Sequence, residues 1–348
     1  MMRSGRDKYL LNKGAPWSPG RIGIIGSGSW ATALAKILLT TQEEVNWYFR
    51  FRETVKRFQA SGHNPSYLTS VEFDTDRINF YTDIPSIVEN SDTLLLVTPS
   101  PYIKGVLERA KPGTLKDKFI INAIKGIITD EYVLITEYLM ERYGLPKEQL
   151  GVVSGPCHAE EVALERLSYL TVATADLTKA EVLKGVFEGE FVSCKVSSDL
   201  TGIEYSSVMK NIYAIMAGVC QGLRMGDNFQ AVLLSNAAAE IDLLLNRVSS
   251  NAVRKITDSV YLGDLMVTAY SRYSRNRTLG TLIGRGYSVK QAQLEMEMVA
   301  EGYYGTKCIH EVNKDLGLEL PIAEAAYDIL YRRADPAEKI LELSQKLT

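Results

Sequence analysis

The chain has 348 residues, 46% of them hydrophobic and 23% charged, with 39 Lys and Arg against 42 Asp and Glu for a net charge of −3. That length provides for two or three domains with real cores, which excludes a peptide hormone or a disulfide-stapled mini-domain. The slight acidity argues against a nucleic-acid partner, which would select a basic surface.

Residues 1–20 are polar, contain Gly and Pro, and follow no period, so they read as a tail that orders only if it docks. The start lacks the apolar core of a signal peptide, and no later stretch reaches the ~18 to 20 apolar residues of a membrane span. Cytoplasmic residence without integral membrane contact is the expectation. From Arg21, short β-type runs alternate with helical patterns, the runs falling at 22–25, 45–49, 93–97, 119–122, 151–153, 170–173 and 191–196. Runs such as TLLLV are apolar on both faces, as strands covered on both sides should be. The expected fold is therefore α/β, with an N-terminal Rossmann-like, doubly wound and mainly parallel sheet over 21–199. Beyond about residue 200 no strong strand pattern follows; helical stretches at 204–223, 229–245, 289–298 and 322–332, separated by Gly-rich and Arg-rich turns, predict an all-helical second domain over 200–348.

The run RIGIIGSGSWATALAKILL sets Gly26-x-Gly28-x-x-Ala31 after the first strand and at the opening of an apolar-periodic helix. Gly26 permits a tight turn, Gly28 lets backbone approach a pyrophosphate, and Ala31 allows close helix-to-strand packing. Following a strand and opening a helix, the pattern predicts a dinucleotide cofactor. The second strand ends VNWYFRFR. Arg50 and Arg52 stand where an acidic residue would select NAD, so a ribose 2′-phosphate, and hence NADPH over NADH, is favoured.

In VMKNIYAIMAGV, over 208–219, apolar side chains cover every direction of the helix, which implies burial; Lys210 and Asn211 are its strongly polar members. A buried ammonium is costly unless paired, and burial depresses its pKa toward the range useful for proton transfer. Farther on, Asp264 follows Gly263, and SRYSRNRTLG carries Arg272, Arg275, Asn276 and Arg277, donors suited to a phosphate or carboxylate. Asp264 is read as orienting Lys210 or meeting a substrate hydroxyl, with an exposed turn residue as the alternative. AIKGI, with Lys125, and SGPCHAEE stand at strand C-termini, where open α/β sheets bind ligands. Cys157, Cys194, Cys220 and Cys308 are far apart, and with His63, His158 and His310 they offer no metal-ligand spacing. No metal is expected.

In order along the chain, GSGSWATALA, VTPS, IKG, SGPCHAEEVA, MKNIYAIMAG, GLRMGDN, GDL, SRNR and VAEG resemble the bacterial-type NAD(P)-dependent glycerol-3-phosphate dehydrogenases, over residues 21–332. The resemblance implies reversible reduction of dihydroxyacetone phosphate to sn-glycerol 3-phosphate by NAD(P)H for glycerophospholipid synthesis, in a homodimer. It implies that Lys210 transfers the proton, with Asn211 beside it, and that Lys125 contacts substrate and cofactor. Asp264, Gly155, the residue at position 157, Ser274, Arg275 and Asn276 match substrate contacts. Ser29, Trp30, Arg50, Ala159, Arg275, Val299 and Glu301 match cofactor contacts. Cys157 departs from the family's usual Ser or Thr and is a weaker donor. His158 is read as surface or supporting structure, with a catalytic base as the alternative. Competing readings are another two-domain, lysine-dependent hydroxy-acid dehydrogenase and a non-catalytic nucleotide-binding protein.

Overall fold

The structure is a computed structural model that describes residues 17–111, 113–250, 252–296 and 298–348. Of the expected tail, residues 1–16 lie outside the described residues. Trp17 and Pro19 dock at the N-terminal ends of central strands, the Trp17 ring 4.9 Å from that of Phe119 and the Pro19 carbonyl accepting from the Thr93 hydroxyl at 2.6 Å.

The first half runs β1 (Ile22–Ile25), α1 (Ser29–Thr41), β2 (Val45–Tyr48), α2 (Arg52–Ser61), β3 (Ile78–Tyr81), α3 (Ile84–Glu89), β4 (Thr93–Leu96), α4 (Ser100–Leu107) and β5 (Phe119–Asn122). It continues through β6 (Ile127–Ile128), β7 (Val133–Leu134), α5 (Ile135–Tyr143), β8 (Leu150–Ser154), α6 (Ala159–Ala163), β9 (Ser168–Thr174), α7 (Leu177–Phe187) and β10 (Val192–Ser197). Eight strands form one sheet in the order β10-β9-β8-β5-β4-β1-β2-β3, while β6 and β7 make a small hairpin apart from it. The sheet is parallel except that β9 pairs antiparallel to β8. β1, β2, β4, β5 and β8 are buried at every position, because helices cover both faces. β3 was not expected: only Ile78 of its four residues is buried, so it carries little apolar signal.

The second half holds α8 (Leu200–Gly222), α9 (Asp227–Val248), α10 (Asp264–Tyr270), α11 (Arg275–Gly284), α12 (Val289–Leu294), α13 (Glu301–Leu316), α14 (Pro321–Tyr331) and α15 (Pro336–Ser344), with no strand among the described residues. The helix expected over 289–298 ends at Leu294. The Arg-rich stretch expected as a turn opens α11, where the Ser274 side chain caps the helix by accepting from the Arg277 N–H.

α8 is the axis of this half, buried without a break from Gly202 to Cys220. α11 crosses it at backbone contact. A Cβ on Gly280 would stand 1.9 Å from the Ile215 carbonyl oxygen, and one on Gly218 would stand 2.1 Å from that of Arg277. Only glycine tolerates this approach, and the approach brings the first turn of α11 against the middle of α8. Buried carboxylates tie α8 to its surroundings. Asp199 accepts from the Gly202 N–H at 3.0 Å, from Arg254 Nε at 2.8 Å and from the Tyr261 hydroxyl at 2.7 Å. Glu204 accepts from Asn122 at the end of β5 at 2.8 Å and from the Thr136 hydroxyl at 2.5 Å. Burial pushes the Glu204 carboxyl up to about 7, against the pull of the Thr136 bonds.

Candidate active site

The turn after β1 is held open for an anion. Gly26 has φ +140°, and a Cβ there would stand 2.8 Å from the Val97 carbonyl group at the end of β4. The Trp47 indole N–H donates to the Gly26 carbonyl at 2.7 Å, fixing the turn against β2. A Cβ on Gly28 would meet nothing within 4 Å, and no side chain caps α1. Its first-turn N–H groups are therefore available to a phosphate, with the helix dipole behind them. Ala31 is fully buried against the sheet. β1 and β4 are neighbours whose chain continues to opposite sides of the sheet, the place where open α/β sheets take a dinucleotide. These residues fit a dinucleotide pyrophosphate. Arg50 stands exposed just past β2, its guanidinium 5.2 Å from the centre of the Phe51 ring.

Between the two halves lies a cleft lined by Ser29, Trp30, Lys125, Cys157, Ala159, Lys210, Asn211, Ser274, Arg275, Asn276, Val299 and Glu301. Gly26, Gly28, Ala31 and Arg50 are not among its lining; they belong to the phosphate turn and strand ends beside it. Gly155 and Asp264 support it from beneath. Gly155 has φ +147°, and its carbonyl accepts from Lys125 Nζ at 3.4 Å.

The floor is a charge cluster. A π-helical turn over Ser259–Gly263 leads into α10 and sets Asp264 at that helix's first position. Lys210 is 2% and Asp264 1% exposed, and Lys210 Nζ pairs with Asp264 Oδ1. Lys125 Nζ lies 3.7 Å from Oδ2, and the Ser154 hydroxyl donates to the same oxygen at 3.4 Å. The Thr268 hydroxyl, one turn on, donates to the Asp264 carbonyl at 2.6 Å. Burial pushes the Lys210 ammonium down, Asp264 opposes this and Lys125 adds repulsion; the net direction is below the ordinary lysine value. Burial would push Asp264 up, but Lys125 and Lys210 outweigh it and hold the carboxyl below its usual range. The result is a proton donor that releases its proton more readily than a surface lysine.

Asn211 has both amide hydrogens engaged, to the carbonyls of Lys125 and Ser207 at 3.1 Å each, while its oxygen accepts from Asn276 at 2.9 Å. The Asn276 oxygen in turn accepts from the Gly302 N–H at 2.9 Å. This chain of amides joins the Lys125 loop, α8, α11 and α13. Glu301 accepts from the Ser100 N–H at 2.9 Å and hydroxyl at 2.5 Å. Burial raises its carboxyl despite those bonds and nearby Arg275.

The expected four-donor cluster of SRYSRNR is divided by the helix it opens. Arg275 and Asn276 reach the cleft; Arg272 lies over the Tyr273 ring, 5.0 Å from its centre, and Arg277 turns into a separate hollow with Arg224. Helical rotation of about 100° per residue turns Arg277 away from Arg275 and Asn276, whereas Arg272 precedes the helix, which begins at Arg275. Cys157 is a buried neutral thiol, pushed by burial up to about 12. His158 is in the cleft wall rather than on the outer surface. Thr268, Thr98 and Tyr273, absent from the expectations, also line the cleft. Thr268 was findable, because it follows Asp264 by four residues on one helical face. Among the described residues no group of three or more His, Cys, Asp or Glu is placed to hold a metal ion.

A dinucleotide-type sheet joined to a helical domain across a cleft with a buried lysine defines the class of two-domain, nicotinamide-dependent dehydrogenases. Residues 21–180 match the model of the NAD-dependent glycerol-3-phosphate dehydrogenase N-terminus, and residues 199–341 match that of its C-terminus. The chain belongs to this family. It is 34% identical to a glycerol-3-phosphate dehydrogenase [NAD(P)+] of Syntrophotalea carbinolica, covering 93% of this chain and 97% of the relative. A protein of the same description from Syntrophomonas wolfei is 31% identical, covering 94% of this chain and 95% of the relative. Among solved structures, glycerol-3-phosphate dehydrogenase from Coxiella burnetii superposes with a TM-score of 0.86 at 29% identity, covering 93% of this chain and 98% of that one. The Plasmodium falciparum structure, at 21% identity and a TM-score of 0.81 over 92% of this chain and 94% of that one, shares the fold.

Proposed function

We propose that the protein catalyses the reversible reduction of dihydroxyacetone phosphate to sn-glycerol 3-phosphate with NAD(P)H, providing the backbone of glycerophospholipids. The observation that carries this reading is the sealed Lys210–Asp264 pair beside Lys125, at the floor of a cleft that also holds Arg275. When bound, the nicotinamide supplies the hydride. Lys210 gives its proton to the ketone oxygen in reduction and takes it back in oxidation. Asp264 keeps the ammonium oriented, and Lys125 places positive charge where the oxyanion develops while also reaching the cofactor. Asn211 acts by position, since its amide fixes the Lys125 backbone. Ser274, Arg275 and Asn276 take the substrate phosphate, with Gly155 and Cys157 beside the reacting carbon.

Gly26, Gly28, Ser29, Trp30, Ala31, Ala159, Val299 and Glu301 hold the cofactor, with Arg275 at the junction of both ligands. Arg50 favours NADPH over NADH, because an exposed guanidinium at the end of β2 suits a 2′-phosphate. The division of labour follows the chain: a dinucleotide domain over 21–199, and a substrate and catalytic domain over 200–348 whose long helix α8 begins at Leu200. The reading carries with it a homodimer and cytoplasmic residence; no helix among the described residues is long and apolar enough to cross a membrane.

The test is dihydroxyacetone-phosphate-dependent oxidation of NADPH and NADH, followed at the nicotinamide absorbance. Turnover with at least one cofactor is expected, and its absence with both contradicts the proposal. Replacing Arg50 and Arg52 together selectively raises KM for NADPH; equal weakening of both cofactors removes the 2′-phosphate assignment.

A further inference from the structure

We infer that Asn122 and Glu204 are positioning residues of the reaction: through them helix α8, which carries the proton-donating Lys210, also fixes the loop that presents Lys125. This rests on the dihydroxyacetone phosphate reading above and adds to it two residues to which no part in the chemistry has been given.

Ala123, Ile124 and Lys125 follow β5 and line the cleft, whereas Asn122, the last residue of that strand, and Glu204 do not. Asn122 is 1% and Glu204 0% exposed, so any part they take in the reaction passes through a neighbour.

That neighbour is the Lys125 loop. The Asn122 amide nitrogen donates to Glu204 Oε1 at 2.8 Å, and its oxygen accepts from the Ile124 N–H at 2.9 Å, an Asx turn that sets the direction in which the chain leaves the strand. One residue on, the Lys125 carbonyl accepts from Asn211 at 3.1 Å. Glu204 and Asn211 stand seven residues apart on α8, which places them within about 20° of one face and about 10 Å apart along the axis. The loop is thus held to α8 at both ends. Between them the Ala123 N–H donates to the Leu96 carbonyl at 3.0 Å, and the Ala123 carbonyl accepts from the Trp30 indole at 3.2 Å. Those two bonds tie the same loop to β4 and α1.

Glu204 is itself held from α5, where Thr136 donates its hydroxyl to Oε2 at 2.5 Å and its N–H to Oε1 at 3.2 Å. An apolar pair of similar volume would pack β5 against α8 without the cost of burying a carboxyl. What the polar pair adds is direction, because a hydrogen bond constrains an angle and apolar contact does not. Direction is needed here. Lys125 Nζ lies 3.7 Å from Asp264 Oδ2 while Lys210 Nζ pairs with Oδ1 of the same carboxylate, so the two ammonium groups share one reference point. Reacting groups must be held within about 0.5 Å of their working geometry, and α8 provides the frame for both.

The experiment is single-turnover reduction of dihydroxyacetone phosphate by NAD(P)H, with Asn122→Ala placed in the wild-type and in the Lys125→Ala backgrounds. In the wild-type background the substitution lowers the rate about 10- to 100-fold, the cost of misplacing a reacting group by up to ~1 Å. In the Lys125→Ala background, where the loop has no ammonium to place, it lowers the rate by no more than about twofold. Glu204→Leu repeats the loss, and Glu204→Gln, which keeps an oxygen for Asn122, restores most of it. Asn122→Ser, too short to reach Glu204, gives the same pattern and serves alone if the Ala variant does not fold. An equal loss in both backgrounds marks a merely structural role and overturns the inference, as does wild-type turnover in Asn122→Ala or the absence of recovery in Glu204→Gln. Wild-type protein that does not reduce dihydroxyacetone phosphate overturns the functional reading and this inference with it, a result distinct from an active enzyme in which the two losses add.

Discussion

Replacing Asp264 by Asn removes the only carboxylate among the groups that set the Lys210 charge, while keeping shape and some hydrogen bonding. Lys125 Nζ is 3.7 Å from that carboxylate and Lys210 Nζ is closer still. A unit charge pair near 4 Å is worth about 4 kcal/mol at an effective dielectric of about 20, or about three pK units. Burial and Lys125 already push Lys210 down, so loss of Asp264 drives it further in the same direction. Reduction needs the ammonium form, so its kcat/KM falls as pH rises through the Lys210 pKa. In the variant that limb moves to lower pH, and at neutral pH little acid remains. The expected loss in reduction is about 100- to 10,000-fold, the range attributed to a positioned general acid. Steady-state rates from acid to alkaline pH, in both directions and with circular dichroism to verify folding, make the test. A folded Asp264→Asn protein with wild-type kcat/KM and an unmoved pH limb would refute the assigned coupling.

Arg275→Ala should raise KM for dihydroxyacetone phosphate about 10- to 150-fold, the worth of charge-assisted hydrogen bonds, with little effect on phosphate-free dihydroxyacetone. Equal losses on both substrates would contradict a phosphate contact. In Gly280→Ala, the new Cβ would meet the Ile215 carbonyl oxygen at 1.9 Å, so α11 must shift away from α8. A fall of about 1–3 kcal/mol in urea-unfolding stability is expected, accompanied by lower kcat/KM as Arg275 and Asn276 move; an unchanged midpoint would argue against the close crossing. Glu204, raised from 4.5 to about 7 by burial, binds its proton more tightly folded than unfolded. Its contribution is full below about pH 4.5 and is lost as pH rises through about 7, a change of about 3 kcal/mol. Glu204→Gln should flatten the pH dependence of stability across that window, and an identical slope in both proteins would count against a buried, titrating carboxyl.

The strands that position the site were legible because both their faces are apolar, and the phosphate turn because Gly26 and Gly28 sit between a strand and a helix. β3 escaped because three of its four residues are partly or fully exposed, which removes the run on which strand reading relies. α11 read as a turn for a different reason. Its glycines lower helix propensity, and their purpose, backbone contact with α8, exists only once both helices are placed. The lysine was visible as a charge on a helix without a polar face. Its partner was legible only as one of several readings, because Asp264 after Gly263 suits an ion pair with Lys210, a substrate hydroxyl or an exposed turn, and sequence carries no distance between positions 210 and 264 to choose among them. The same limit hid Glu204 and the amide chain from Lys125 to Gly302, whose members are far apart in sequence and individually ordinary.

The central claim is that a sealed lysine moves the proton for dihydroxyacetone phosphate reduction. It is tested most directly by single-turnover reduction in Lys210→Ala beside the wild-type protein, with cofactor binding measured separately. The expected result is a folded variant that binds NAD(P)H normally yet loses substrate-dependent oxidation by about 100-fold or more, with partial rescue by added primary amines. Undiminished turnover in that variant would contradict the role of Lys210 and the mechanism built upon it.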